Sequence, residues 1–319
     1  MKILFVVHRF HPYPGGSEVN TYRMAKECVN RGFEVSVYTA QHRGDVDGIR
    51  VSHEPKLLLD KYDLVVVHGA DCYNQDHVHK LGMSSPVLYL IVKPSKSEVA
   101  LLGMKKANYL GCGSLADLKH VSAYGYLNKV VRIPYGIPHE ERGLAGFRKK
   151  YGITTKKMFM SAGGFWKHKG FEELYNAFRE SAIPDTTLCL FGYHKQPAGL
   201  KETERIRIFA GLPGEVIHDA MRESDLFVMN STVEGFGLVI LEAMMNKTHW
   251  TARPVGGISK EKSVYTEYCK FGKIYNTRSE LIEIMKTFQK DEEILEEAYR
   301  FHLDNHLVSH TVDAIERCV

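Results

Sequence analysis

The sequence predicts an α/β protein made of two doubly wound domains. Three observations lead to this prediction. The chain has 319 residues, which is about twice the usual length of a single domain. Short uninterrupted runs of Val, Ile and Leu recur along it, and helical patterns lie between these runs. Strands that are buried on both faces of a parallel sheet produce such runs.

The first half of the chain opens with a strand, a helix and a second strand. Residues 2–7 and 33–39 are typical of strands, and residues 19–31 between them have apolar side chains at helical spacing. Further strand-like runs follow, and together they predict one doubly wound domain over residues 1–137. These runs are residues 63–68, 86–92, 107–113 and 129–134.

The pattern restarts after a stretch rich in Pro and Gly at residues 134–140, which predicts a second α/β domain over residues 138–304. Helices are expected around residues 172–180, before residue 215 and after Glu234, and residues 305–319 are expected to form a helix that packs back on the first domain. The predicted strands are residues 157–163, 186–192, 215–220, 224–230 and 249–252.

Composition favours an ordinary globular protein, since 44% of the residues are apolar and 25% are charged. The six cysteines lack the short spacing of a zinc site or a redox dithiol, which favours reduced thiols and a cytoplasmic location. The apolar run at residues 3–7 is too short for a secretory signal, and no stretch is long enough to span a membrane. The excess of basic residues lies in the first half, which would suit an anionic acceptor or peripheral membrane contact; the alternative is an uneven solvated surface.

Two glycine-bearing loops follow predicted strands, where open parallel sheets bind their ligands. The first is residues 8–18, "HRFHPYPGGSE", in which Gly15 and Gly16 leave the backbone N–H groups open to a phosphate or a sugar. The dinucleotide fingerprint G-x-G-x-x-G is absent from it. The alternative is a structural loop that needs glycine for its backbone conformation.

The second loop begins the stretch "STVEGFGLVILEAMMNK" at residues 231–247. Gly235 and Gly237 are expected at the start of a helix, where free N–H groups and the helix dipole form an anion site. Eight helical residues rise about 12 Å and complete nearly whole turns, so Glu234 and Glu242 would lie on one face. Such a span suits a nucleotide sugar that is touched at both ends. The alternative is that both carboxylates only stabilise the helix.

Several stretches in order resemble one enzyme family. "EGFGLVILEAM" resembles the E-x7-E signature of the family 4 retaining glycosyltransferases, "PYPGGSEVNTYRMAKECVNRGFEVSVYT" resembles their opening, and "VVRIPYGI" their interdomain linker. "HKGFEELYNAF" is similar to their K-G stretch, and "RPVGG" to their second glycine loop. The resemblance implies the GT-B fold, with two facing Rossmann-like domains, and a metal-independent hexosyltransferase-like enzyme that retains anomeric configuration.

The resemblance also assigns roles to matching residues. Glu234 would hold hydroxyls of the donor sugar and Lys169 its diphosphate, and these two are the predicted catalytic residues. Glu242 would bind the ribose, while Gly256 and Gly257 would shape the donor pocket. The remaining predicted donor-binding residues are Gly15, Gly16, Lys167, Gly235, Phe236 and Gly237. The implied donor is a UDP- or GDP-linked sugar, and no cofactor is implied.

The chain departs from the family pattern at two places. Gly164 stands where the family usually has an arginine, for which Lys167 or His168 would have to compensate. Val92 and Lys93 stand where the family tends to have a histidine; His68 is a candidate substitute, and Lys93 could meet an acidic acceptor.

The predicted function is therefore sugar transfer from a nucleotide diphosphate sugar to an unknown acceptor. The rival interpretation is a catalytically degenerate protein that binds a nucleotide sugar without turnover; a nucleotide-sugar epimerase or a dinucleotide oxidoreductase fits the motifs less well. Asp71, Asp76, His77 and His79 could suggest a metal site, but we expect a polar surface loop there and no bound metal.

Overall fold

The structure is a computed structural model, and it describes residues 1–39, 44–68, 85–92 and 95–319. The chain divides into two compact units, of which the first comprises Met1–Gly136 with His306–Val319 and the second comprises Ile137–Asn305. The predicted α/β class is confirmed, since each unit is built on a mainly parallel sheet with helices between its strands.

The described strands of the first unit form an eight-stranded sheet in the order β3-β4-β2-β1-β5-β6-β7-β8. All its strand pairs are parallel except β3 with β4. The uninterrupted apolar strands β5 and β6 lie at its centre and are buried throughout. The strands are β1 (Lys2–Val6), β2 (Glu34–Tyr38), β3 (Gly44–Val46), β4 (Ile49–Ser52), β5 (Leu64–His68), β6 (Val87–Ile91), β7 (Tyr109–Cys112) and β8 (Val130–Arg132); the helices are α1 (Gly16–Asn30), α2 (Glu98–Lys106) and α3 (Leu115–Ala123).

The second unit, described throughout, contains a six-stranded parallel sheet in the order β11-β10-β9-β12-β13-β14. Buried side chains of β9 and β10 pack against helices α5 and α8 to form its core. The strands are β9 (Lys157–Gly164), β10 (Thr186–Tyr193), β11 (Ile206–Ala210), β12 (Leu226–Met229), β13 (His249–Ala252) and β14 (Lys273–Ile274); the helices are α4 (Phe147–Lys150), α5 (Phe171–Ser181), α6 (Gly214–Arg222), α7 (Leu238–Met245), α8 (Arg278–Lys286) and α9 (Glu292–Asn305).

The last helix, α10 (Val308–Glu316), belongs to the first unit and packs on α1. Arg31, which follows α1, donates to Asp313 Oδ1 at 2.7 Å and to Glu316 Oε1 at 3.2 Å. Gly136 packs so closely against the backbone of Leu307 that an added Cβ would lie 2.2 Å from its carbonyl. The chain therefore returns to the first unit after completing the second.

One predicted element is wrong. Residues 215–220 were expected to be a strand with a helix before them, whereas they lie within helix α6, and strand β11 (Ile206–Ala210) precedes it. Pro213 lies at the N-cap of α6, where its missing N–H removes no hydrogen bond within the helix, so a helix can begin directly after it. Among the described helices, none combines the length and hydrophobicity that crossing a bilayer requires.

Candidate donor-sugar site

Lys169 lies in a tight turn between β9 and α5. The turn is the 3-10 segment Lys167–Lys169, and Gly170 follows it with φ of +68°, a left-handed conformation that favours glycine. A Cβ on Gly170 would also lie 2.3 Å from the carbonyl oxygen of Asn230. The turn therefore packs directly against the segment that follows β12.

Glu234 lies in that segment, and its carboxylate meets the lysine. Lys169 Nζ donates to Glu234 Oε1 at 2.6 Å, and the two side chains are 22% and 12% exposed. Strands β9 and β12 are neighbours in the sheet, so the carboxyl ends of two adjacent parallel strands bring the two residues together. Ligands of open α/β sheets bind at such strand ends.

Glu234 is not on the helix that carries Glu242, which corrects the expected geometry. Helix α7 begins at Leu238, and Gly237 caps it with φ of +97°. The left-handed glycine turns the chain before the helix begins, so the expectation of two carboxylates on one helical face is wrong. Glu234 instead lies in the loop beside Lys169.

The second glycine loop packs against the Glu234 segment. Gly256 has φ of +62°, and a Cβ there would lie 2.5 Å from Gly235 O and 2.9 Å from Glu234 Cβ. Gly257 N donates to Phe236 O at 2.9 Å. The ring of Phe236 is buried and packs on Tyr268. Phe236 therefore supports the loop through its side chain, and both glycines are required by close backbone approach.

Glu242 lies on α7 and faces a histidine. Its Oε1 is 3.8 Å from His218 Nε2, and the two side chains are 14% and 8% exposed. His218 Nδ1 donates to the carbonyl of Glu141 at 2.6 Å, because a carbonyl can only accept. The imidazole is thereby turned so that Nε2 faces the carboxylate.

Lys167 is exposed on the same turn as Lys169. Gly164 stands where the resembling family has an arginine, and a larger side chain there would require the Trp166 indole to move. A Cβ on Gly164 would lie 2.6 Å from Nε1 of the Trp166 indole and 3.0 Å from the ring of Tyr193. The indole of Trp166 therefore occupies the space into which an arginine side chain would start.

In the first unit, Gly15 caps α1 and Gly16 begins it. A Cβ on Gly15 would lie 2.1 Å from the carboxylate of Glu18, whereas a Cβ on Gly16 would meet nothing within 4 Å. Burial raises the pKa of Glu18, while Arg9 and His8 act in the opposite direction. A side chain at position 15 would thus require the carboxylate of Glu18 to move, and Gly16 leaves open space at the start of the helix.

His68 ends β5 and is buried against α1. Its Nδ1 lies 2.5 Å from Thr21 Oγ1, and the Thr21 hydroxyl donates its own proton to Ser17 O at 2.8 Å. Nδ1 therefore carries the proton of the neutral ring. Burial lowers the pKa of His68 to about 4, so the ring is neutral at physiological pH. The predicted site residue Lys93 lies outside the described residues. The same is true of the residues considered for a metal site, which are Asp71, Asp76, His77 and His79.

Comparison with known proteins shows similarity in one sequence segment and in the fold. Residues 146–263 match the family described as Glycosyl transferases group 1. The fold is shared with solved structures, each matched over 99% of this chain and 98–99% of the other: HepE of Anabaena (TM-score 0.77, 19% identity), the glycosyltransferase WaaG (0.74, 17%) and sucrose-phosphate synthase of Thermosynechococcus elongatus (0.77, 14%). A comparison with curated protein sequences finds no significant match.

The fold is that of the GT-B glycosyltransferases. The matched segment contains both Lys169 and Glu234, and together these findings support a glycosyltransferase. Within the described residues, no group of three or more His, Cys, Asp or Glu side chains could hold a metal ion.

The sequence did not indicate two polar residues, His218 and Asn230, that lie beside the predicted site residues. His218 gave no signal because it is distant from Glu242 in sequence and lies on a segment that was expected to be a strand. The sequence predicts Asn230 as the last residue of a strand, and its neighbours in sequence do not show that its side chain contacts the turn before α5. A polar residue directly after a buried strand was the available signal.

Proposed function

We propose that this protein transfers a sugar from a nucleotide diphosphate sugar to an acceptor with retention of anomeric configuration. The observation that carries the proposal is the Lys169–Glu234 pair at 2.6 Å, held beside the Gly235–Gly237 loop. A cation and a carboxylate at the strand ends can serve the two parts of the donor that acquire opposite charges as the glycosidic bond breaks.

Lys169 is assigned to the diphosphate, where its ammonium would stabilise the negative charge of the leaving group. Glu234 is assigned to the hydroxyls of the donor sugar, where positive charge develops. Glu242 is assigned to the ribose. These assignments require the ion pair to open when the donor binds, because the ammonium must turn from the carboxylate to the diphosphate.

The remaining proposed contacts involve both units. Backbone N–H groups of the Gly235–Gly237 loop and the exposed amine of Lys167 are assigned to the donor. In the first unit, Gly15 and Gly16 are assigned to the donor and His68 is assigned to the acceptor. The basic composition of the first half of the chain favours an anionic acceptor. No carboxylate nucleophile is needed if a phosphate oxygen of the leaving group assists deprotonation of the acceptor.

The proposed donor is a UDP- or GDP-linked sugar, and the proposed reaction needs no metal. The support is the match to group 1 glycosyltransferases and the shared fold of HepE, which has been solved with UDP-glucose and with UDP and glucose. A lysine beside the diphosphate can stabilise the negative charge of the leaving group, which in other enzymes a divalent cation does.

Binding of UDP and GDP by Lys169→Ala tests the assignment. We expect the affinity for the bound nucleotide to fall roughly tenfold or more, since a hydrogen bond to a charged group is lost, with little change in melting temperature beyond that caused by loss of the pair. Lys156→Ala is the matched control because Lys156 is a lysine of the same unit whose side chain is 87% exposed. Equal affinity in Lys169→Ala and Lys156→Ala would refute the assignment.

The second candidate is a catalytically degenerate protein that binds a nucleotide sugar. Gly164 favours it, because the family's arginine is missing there and the Trp166 indole occupies its space. Turnover separates the two functions. An enzyme hydrolyses its bound donor slowly in the absence of acceptor, whereas a binding protein releases it unchanged.

A further inference from the structure

The side-chain amide of Asn230 joins several strand ends of the second unit. Asn230 follows β12 and is 1% exposed. Its Nδ2 donates to Gly170 O at 2.8 Å and to Glu173 Oε2 at 3.3 Å, and its Oδ1 accepts from Arg253 Nε at 2.9 Å and from Tyr275 OH at 2.7 Å. These four hydrogen bonds use both donors and both lone pairs of the amide.

Chemistry fixes the orientation of this amide. The guanidinium of Arg253 can only donate, and the carbonyl of Gly170 can only accept, so the oxygen must face Arg253 and the nitrogen must face Gly170. An ionised carboxyl group in the same place would direct an oxygen at the carbonyl of Gly170 and at the carboxylate of Glu173. The position therefore requires an amide rather than an acid.

Two residues, Asn230 and Thr232, tie the turn that carries Lys169 to the segment that carries Glu234 through hydrogen bonds to main-chain carbonyls of the turn. Gly170 N donates to Lys167 O at 3.1 Å and closes the turn, and the carbonyl of Gly170 is held by Asn230. Two residues later, Thr232 N donates to His168 O at 2.7 Å. Both ties connect main-chain groups of the turn to residues 230–232. They therefore hold the two backbones in place independently of the contact between the Lys169 and Glu234 side chains.

Arg253 and Glu173 in turn hold Asn230. Arg253 Nη2 donates to Glu173 Oε1 at 2.5 Å, and Arg253 Nη1 donates to Asn276 O at 3.3 Å. The side chains of Arg253 and Glu173 are 17% and 36% exposed. The network thus connects the residues that follow β12, β13 and β14 with the first turn of α5.

We propose that Asn230 is a positioning residue that sets the geometry of the Lys169–Glu234 pair, and through it the diphosphate contact of Lys169. The diphosphate contact rests on the proposed function, whereas the geometry of the pair does not. Asn230 touches no part of the assigned ligand; it acts through the backbone of Gly170.

Asn230→Asp is the test variant, because it keeps the size of the side chain and removes both N–H donors. Acylation of lysine amines, measured by peptide mass spectrometry, gives the reactivity of Lys169 relative to exposed Lys167 on the same turn. A paired, partly buried ammonium reacts slowly, so we expect the relative labelling of Lys169 to rise several-fold in Asn230→Asp. The readout needs no nucleotide.

Affinity for UDP and GDP is the second readout. At pH 7.5, Asn230→Asp should bind its nucleotide roughly tenfold more weakly than the wild type binds the same nucleotide. The reason is that the contact proposed between Lys169 and the diphosphate is misplaced. At pH 5 the ratio to wild type should partly recover, because a protonated carboxyl group again has a hydrogen to donate to Gly170 O.

Thr251→Val is the matched control. Thr251 is fully buried in β13, and its hydroxyl donates to Lys273 O at 2.7 Å, away from the Lys169 turn. We expect this control to melt at a lower temperature with unchanged Lys169 labelling and nucleotide affinity. If Asn230→Asp does not fold, Tyr275→Phe removes one hydrogen bond to Oδ1 and should change both readouts in the same direction by a smaller factor.

The outcomes separate the two proposals. A wild-type protein that binds neither UDP nor GDP contradicts the proposed function, while the labelling result still decides the role of Asn230. A folded Asn230→Asp that shows wild-type labelling of Lys169 overturns the positioning role. The same conclusion follows if Asn230→Asp behaves like Thr251→Val, with a lower melting temperature only.

Discussion

Removing either partner of the Lys169–Glu234 pair should have separable effects on stability and on ligand binding. Lys169→Met leaves the carboxylate of Glu234, which is 12% exposed, without its cation. Loss of a charged hydrogen bond in such a place should lower the free energy of unfolding by about 1.5–3 kcal/mol. Glu234→Gln keeps an acceptor for the ammonium, so we expect a smaller loss of about 1 kcal/mol.

The double variant measures the coupling between the two residues. If the ion pair is formed in solution, the two single variants together should lose more free energy of unfolding than Lys169→Met/Glu234→Gln does. The difference, which is the coupling energy, should be about 1 kcal/mol. Urea denaturation followed by circular dichroism gives the four free energies of unfolding. Additive losses would show that the pair contributes nothing.

Ligand binding should separate the same two variants in the opposite way. Lys169→Met should bind UDP or GDP roughly tenfold or more weakly, because the cation that we assign to the diphosphate is gone. Glu234→Gln should bind the nucleotide at least as tightly as the wild type, because its ammonium no longer has to leave a carboxylate. Calorimetric titration measures both affinities. An equal loss in the two variants would refute the division of roles.

Three further outcomes are expected. Glu242→Gln should weaken binding of UDP or GDP by about 1.5–3 kcal/mol with unchanged turnover of bound donor, and a normal KM would contradict this. Donor turnover should survive a chelator, and a loss that manganese or magnesium restores would contradict it. Burial lowers the pKa of His68 and His306 from 6.5 to about 4. The first unit should therefore lose stability as the pH falls from 6.5 to 4, because the unfolded chain takes up these protons first. The free energy of unfolding should depend on pH differently in the wild type and in His306→Gln, and the same pH dependence in both would contradict the prediction.

The long apolar strands could be predicted from the sequence because their signal is local. Strands β1, β5 and β6 consist mostly of consecutive apolar residues, and β9 and β10 each contain a shorter apolar stretch. All five lie within or close to the expected ranges. Such runs are typical of strands that are buried on both faces of a parallel sheet. They were sufficient for the fold class.

Short and polar strands could not be predicted in the same way. Strand β11 includes Arg207, and β3 and β4 form a hairpin that contains polar residues. Asp47 and Gly48 at the hairpin turn both have positive φ, at 50° and 81°. An Asp-Gly pair is a strong hairpin signal, and the alternating residues Ile49–Ser52 follow it directly. The sequence therefore does contain a signal for this hairpin.

The candidate site shows the same limit. The E-x7-E spacing singled out Glu234 and Glu242, but it could not show that Gly237 turns the chain before the helix. The contact between Lys169 and Glu234, 65 residues apart, depends on the order of β9 and β12 in the sheet. The Asn230 network depends on three strand ends and the first turn of α5 at once. Contacts of this kind arise from topology, which a local pattern does not contain.

The most direct test of the account is the fate of a donor in the absence of acceptor. Proton NMR of the wild type with UDP-glucose, and with GDP-mannose if UDP-glucose is not consumed, follows both donor loss and the anomer of the released sugar. The account predicts slow hydrolysis in which the α-anomer appears first, and no hydrolysis by Lys169→Ala. First appearance of the β-anomer would contradict retention, and binding of the donor without consumption would contradict the enzyme.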